Sequence, residues 1–177
     1  MDGLRRGRRL AVLLAAGLAA VASPASAGKA GVLGLPALNA QLIAQVNALR
    51  AREGLRPVRI SPSLAAAAGR HSSQMAEHGF FAHRSADGSA FWRRIEHYYP
   101  LQGFRNWEVG ENLLWASPGV DAREAVRLWL ASPSHRRTLL DPRYREIGVA
   151  AVRSSAAPGV FRGLDVTIVT ADFGTRR

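Results

Sequence analysis

The chain contains no cysteine, so no disulfide can staple it and no thiolate can bind a metal. Packing alone must hold it together, and any metal ligand must be His, Asp, Glu or a backbone oxygen. Internal repeats and low-complexity tracts are also missing, which sets aside repeat architectures. Apart from one stretch near the amino terminus there is no long apolar run to span a membrane. Aromatic residues are sparse, at 7%, and do not interleave with the scattered arginines. That pattern points away from nucleic-acid binding and toward a basic, solvated surface that tolerates anionic cell-wall or lipid surfaces. No G-x-S-x-G elbow occurs, so Ser134 beside His135 does not suggest a serine hydrolase.

What is present begins with a leader. "MDGLRRGRR" is basic, "LAVLLAAGLAAVA" is an apolar stretch of 13 residues, and "SPASA" offers an A-x-A cleavage site. The layout is that of a secretory signal peptide over 1–27, cut after Ala27, and the run is too short for a spanning anchor. Twenty-four basic and thirteen acidic residues give a net charge of +11, and +8 once the leader's four arginines and one aspartate are removed. The expected product is a secreted, extracellular protein with no transmembrane anchor after cleavage. Residues 28–37 read as a linker and 38–177 as one domain, long enough for a real core.

Helical spacing places Leu42, Ile43, Val46 and Leu49 on one stripe, with Asn39 as a candidate N-cap and Gly54 past the end. Ser61-Pro62 opens a second helix, rich in alanine and suited to close approach. Asp121 and Glu124 form a capping-box pattern for "AREAVRLWLA", and Ser134 is a candidate cap for the turn "HRRTLL". "LQGFRNWEV" reads as loop and "GENLLWA" as strand. "EIGVAAV" and "LDVTIVTADF" alternate like an antiparallel hairpin. Helices early and strands late describe an α+β domain.

Three residues carry the functional reading. Glu111 shares a strand face with Leu113 and Trp115, where a carboxylate is costly unless it is paired. His83 follows Phe80 and Phe81, which plug the end of the second helix into the core and carry the imidazole to its rim. His135 follows a helix-breaking Ser-Pro. Two histidines and a glutamate suit either a divalent metal site with open positions or a hydrogen-bonded acid–base cluster. His71 and His78 read as structural or solvated, and Asp172 as a polar group at a strand edge.

The stretches "EGLRPVRISPSLAAAAGRHSSQMA", "FFAH", "GENLLW" and "WLASPSHRRTLLDPRYREIGVA", in that order, resemble the bacterial branch of the CAP superfamily of cysteine-rich secretory, antigen 5 and pathogenesis-related proteins. The resemblance covers about Leu38 to Gly174. It implies a three-layer α-β-α sandwich with a mainly antiparallel central sheet and a shallow cleft lined by two histidines and two acidic residues. Carried over, these are His83, Glu111 and His135; Ser132 stands where a second glutamate is expected. The implied cofactor is zinc or another divalent metal on His83 and His135. Two functions stay open. One is a binding module for a lipid, glycan, cell-wall or protein ligand. The other is a metal-assisted hydrolase with Glu111 as its catalytic general base.

Overall fold

The structure is a computed structural model and describes residues 31–177; the leader over 1–27 lies outside the described residues. The elements run β1 (Val32–Gly34), α1 (Pro36–Arg52), β2 (Arg59–Ile60), α2 (Pro62–His78), α3 (Phe91–Tyr98), β3 (Trp107–Ala116), α4 (Ala122–Ala131), α5 (Pro133–Leu139), β4 (Glu146–Ala157) and β5 (Leu164–Arg176). A short 3-10 turn, Gly159–Phe161, joins the last two strands.

The sheet order is β1-β4-β5-β3, antiparallel throughout, with the two-residue β2 adding a parallel pairing to β4. Alternation along the strands divides the side chains between two layers. Ile147, Val149, Ala151, Val169, Ala171 and Phe173 face α1 and α4, where Leu42, Val46, Leu49 and Trp129 complete one core. Val152, Val166, Ile168 and Leu113 face the other way, toward Met75 of α2 and Phe161. The result is the expected α+β fold: helices on both sides of a mainly antiparallel sheet.

The alanine-rich α2 lies very close to its sheet face. Gly148 makes this possible, because a Cβ there would sit 2.0 Å from the backbone nitrogen of Ala65. At its carboxyl end α2 stops on Gly79, whose φ of 66° is left-handed. The Gly79 carbonyl accepts from Val160 N at 2.9 Å, and a Cβ on Gly159 would fall 2.0 Å from that same oxygen. Two glycine backbones therefore interlock, joining the end of α2 to the tip of the β4–β5 hairpin.

Three local expectations are revised. Part of the 28–37 stretch read as linker is ordered structure: Val32–Gly34 pairs with β4, and α1 begins at Pro36. Asn39 does not cap α1; it lies inside the first turns, and its Oδ1 accepts from Ala151 N at 2.7 Å, tying helix to sheet. The strand containing "GENLLWA" starts earlier, at Trp107, because three residues read as loop continue the pairing with β5. By contrast, Asp121 does accept from Glu124 N at 2.8 Å, capping α4 as expected.

Candidate functional site

Strand β3 forms one border of the sheet, so helices and loops from both layers meet along it. Glu111 points to the α2 side and its neighbours Gly110 and Asn112 to the other, by strict alternation. A Cβ on Gly110 would meet Tyr144 Oη at 2.3 Å, so glycine is required for the Tyr144 ring to cross there. Asn112 Nδ2 donates to the His135 carbonyl at 3.0 Å, fixing the first turn of α5 against β3. Two further ties hold the preceding helix α4 to β3 and the end of α5 to α1. Trp129 Nε1 donates to Leu113 O at 3.0 Å, and the buried Arg50 guanidinium donates to the carbonyls of Leu139 and Asp141 at 2.8 and 3.1 Å. His135 thus stands on a short helix clamped at both ends.

On the other side, His83 sits in the loop between α2 and α3. His71, on the buried face of α2, holds that loop: its Nε2 lies 2.8 Å from Ala82 O, one residue before His83. Burial pushes the His71 pKa down to about 4, outweighing the opposite pull of Glu111. Its ring is therefore neutral at physiological pH, and Nε2–H is the donor to Ala82. The role expected of His71, structural rather than ligating, is the one it fills.

His83 Nδ1 and Glu111 Oε1 are 2.8 Å apart. With a carboxylate as acceptor, Nδ1 carries the proton and Nε2 keeps its lone pair free. The His83 side chain is 53% exposed, whereas that of Glu111 is only 1% exposed. The other glutamate oxygen, Oε2, accepts from Arg94 Nη2 of α3. Arg94 Nη1 also donates to Ser85 Oγ at 2.8 Å. The Glu111 carboxylate is consequently occupied on both oxygens. It orients an imidazole and neutralises a buried guanidinium, and so is not a free base.

Beneath Glu111, directly across the strand pairing, lies Asp172. It is not the edge group anticipated from its sequence position. β5 is an interior strand with neighbours on both sides, and Asp172 is completely buried. Burial raises its pKa well above the ordinary value, with the Glu111 charge adding to the shift and Arg94 opposing it. Neither oxygen has a hydrogen-bond partner among the described residues; a retained proton spares the carboxyl pair a second buried charge.

This has a measurable consequence. A raised carboxyl contributes stability that is whole below its unfolded value of 3.8 and is lost as pH rises through its folded value. Asp172→Asn cannot ionise. Its melting temperature should therefore gain steadily on the parent's between about pH 4 and pH 7. The depressed His71 acts in the opposite direction but is common to both proteins. A difference that stays constant over this range would show that Asp172 is not held neutral.

His135 is partly buried, and its pKa lies below the ordinary value, first through desolvation and then through repulsion from His83. The His83 charge is thus felt at His135 across the β3 border of the sheet. Among the described residues no group of three or more His, Cys, Asp or Glu side chains is arranged to hold one metal ion. The donors on offer are two imidazoles, His83 and His135, with Ser132 where an additional carboxylate would stand. Two imidazoles fall short of the four ligands of a closed structural site.

Sequence reasoning missed Arg94 and misplaced Asp172 at an edge; it read His71 as structural or solvated without finding the loop carbonyl it holds. For Arg94 a signal existed: it lies between Phe91 and Tyr98 on the same stripe as the fully buried Ile95. A charged residue on an apolar stripe demands a partner.

Comparison with known proteins now decides the family. Residues 43–173 match the CAP, or cysteine-rich secretory protein, family. The chain belongs to that family. Two Bacillus subtilis proteins are similar to this CAP chain. The uncharacterized protein YkwD is 28% identical over 116 residues, covering 66% of the chain and 43% of YkwD. The uncharacterized membrane protein YlbC is 31% identical over 114 residues, covering 64% of the chain and 31% of YlbC. The chain thus matches less than half the length of either relative. Among solved structures, an outer surface protein of Borrelia burgdorferi superposes with a TM-score of 0.67 at 21% identity, over 84% of this chain and 99% of that one, and shares the fold. An SCP-domain extracellular protein of Bacillus anthracis superposes with a TM-score of 0.61 at 25% identity, over 78% of this chain and 40% of that one. Among the described residues no helix is long and apolar enough to cross a membrane.

Proposed function

We propose that this CAP domain is a secreted binding module whose shallow cleft, on the β3 border of the sheet, takes a divalent metal such as zinc on His83 and His135 as part of ligand capture. The observation that carries this reading is the engagement of Glu111. With one oxygen on His83 and the other on Arg94, and almost no exposure, it presents the free Nε2 of His83 outward. A general base for hydrolysis needs a carboxylate that can accept and release a proton near substrate; Glu111 is already committed, so binding is favoured over the metal-assisted hydrolase. A bound divalent ion would supply Lewis acidity and open coordination positions for a ligand's oxygen atoms. Secretion is supported by the leader over 1–27 and by the extracellular and outer-surface descriptions of the two structural neighbours. The ligand classes that suit this setting are lipid, glycan, cell-wall polymer or protein.

The test is thermal. An ion that binds only the folded state stabilises it by RT ln(1 + [L]/Kd), about 1.4 kcal/mol at ten times Kd. For a domain of this size that corresponds to a rise of about 3–6 °C. Zinc should produce such a rise in the parent and none in a His83→Ala, His135→Ala variant. The rise should fade in acid, because protonated imidazole cannot ligate. An undiminished response in the double variant would end the proposal.

A further inference from the structure

A second concavity lies between α2 and α3, apart from the His83/His135 cleft. It is an open trough of about 710 Å³, within the roughly 300–1,000 Å³ usual for small-ligand sites. Its walls differ from those of an apolar pocket. Arg70 comes from α2 and Arg93 from α3, both lining the trough and neither in an ion pair among the described residues. Hydroxyl groups of Ser85, Ser89 and Tyr98 line the space between them. The one carboxylate, Asp87, is turned to its own loop, accepting from Ser89 N at 2.9 Å.

Arg94 also lines this trough, although it is only 7% exposed. Its Nη1 holds Ser85 and its Nη2 holds Glu111, but its Nε is buried without any hydrogen-bond partner. A buried guanidinium with an unused donor, beside two free arginines and three hydroxyl groups, is a built site for negative charge carried on a hydroxylated frame. Arginine suits the planar, two-oxygen faces of phosphate and carboxylate, and hydroxyl groups suit a sugar or polyol.

We propose that the α2–α3 trough binds an anionic carbohydrate, a sugar or polyol bearing phosphate or carboxylate. Arg70 and Arg93 meet the charge, and the Ser85, Ser89 and Tyr98 hydroxyl groups meet the frame. Arg94 is common to both places, but Arg70 and Arg93 take no part in the hydrogen bonds that hold Glu111 and His83. Neutral sugars lack the charge that the arginines require.

The experiment is a calorimetric and amide-NMR titration of the protein at low salt with three probes: sn-glycerol 3-phosphate, D-glucuronate and D-glucose. At least one anion should shift amides of residues 85–98 saturably, while glucose should not. The tighter of the two anions identifies phosphate or carboxylate as the preferred group. An Arg70→Gln, Arg93→Gln variant should bind that anion at least ten-fold more weakly, with its zinc response unchanged, so failure here is separable from failure at the cleft. Salt at about 0.5 M should weaken binding in the parent, since exposed arginines are screened. Absence of binding by both anions, equal binding of glucose, or undiminished binding by the double variant would overturn the proposal.

Discussion

Replacing Arg94 by leucine is expected to cost about 3–5 kcal/mol, because it leaves Glu111 charged, buried and without its cationic partner. For a domain of this size the melting temperature should fall by about 6–20 °C. The loss has a chemical signature as well as a size. Glu111 would retain His83, the neutral His71 ring 4.0 Å away and the cross-strand carboxyl of Asp172, so the variant should recover part of its stability in acid, where the carboxyl pair no longer has to hold charge. An Arg94→Leu, Glu111→Leu variant should be more stable than Arg94→Leu alone, because no orphaned charge remains. A single variant melting within about 1 °C of the parent would show that the pair is not the buried tie described.

Gly148→Ala is the second large effect. The added Cβ would lie 2.0 Å from Ala65 N and 2.1 Å from Leu64 C. These are backbone atoms that no rotamer change can move aside. Overpacking of flexible side chains costs roughly 1–3 kcal/mol, and a backbone collision should reach or exceed the top of that range. A drop of about 6–12 °C is expected. Gly69→Ala is the matched control. It lies in α2, facing the same sheet, but its nearest neighbour would be Ala150 Cβ at 3.8 Å. Helix propensity then favours alanine by about 1 kcal/mol, so no loss is expected. If both substitutions behave alike, the close seating of α2 on β4 is wrong. Because α2 carries His71, which holds the backbone before His83, Gly148→Ala should also broaden the His83 resonances.

Much of this is legible in the chain. The β4–β5 hairpin declares itself through alternation of β-branched residues, and α2 through Ser61-Pro62 at its start and Gly79 at its end. Both are local signals. The start of α1 is easily misread because no capping side chain marks it; Leu35 occupies the N-cap, and Pro36 is the remaining cue. Asn39 resembles a cap because its oxygen is short and polar, yet that oxygen serves a strand 112 residues away. The site is only half readable. His83, Glu111 and His135 stand out as polar groups at the rims of apolar segments. That Glu111 is consumed by Arg94 and shadowed by Asp172 depends on strand pairing and on the placement of α3, neither of which spacing encodes. Asp172 misleads for a related reason: it lies near the chain end, but its strand is central to the sheet.

The interlocked glycines at positions 79 and 159 bear on how this domain can be handled. A fluorophore, affinity handle or inserted peptide placed at the 158–163 bend would look harmless, being a surface excursion remote from the histidines in the chain. That bend is nevertheless the abutment on which the His83 segment begins. Reporters put there would disturb the very property they were meant to watch, and grafts are better hung elsewhere.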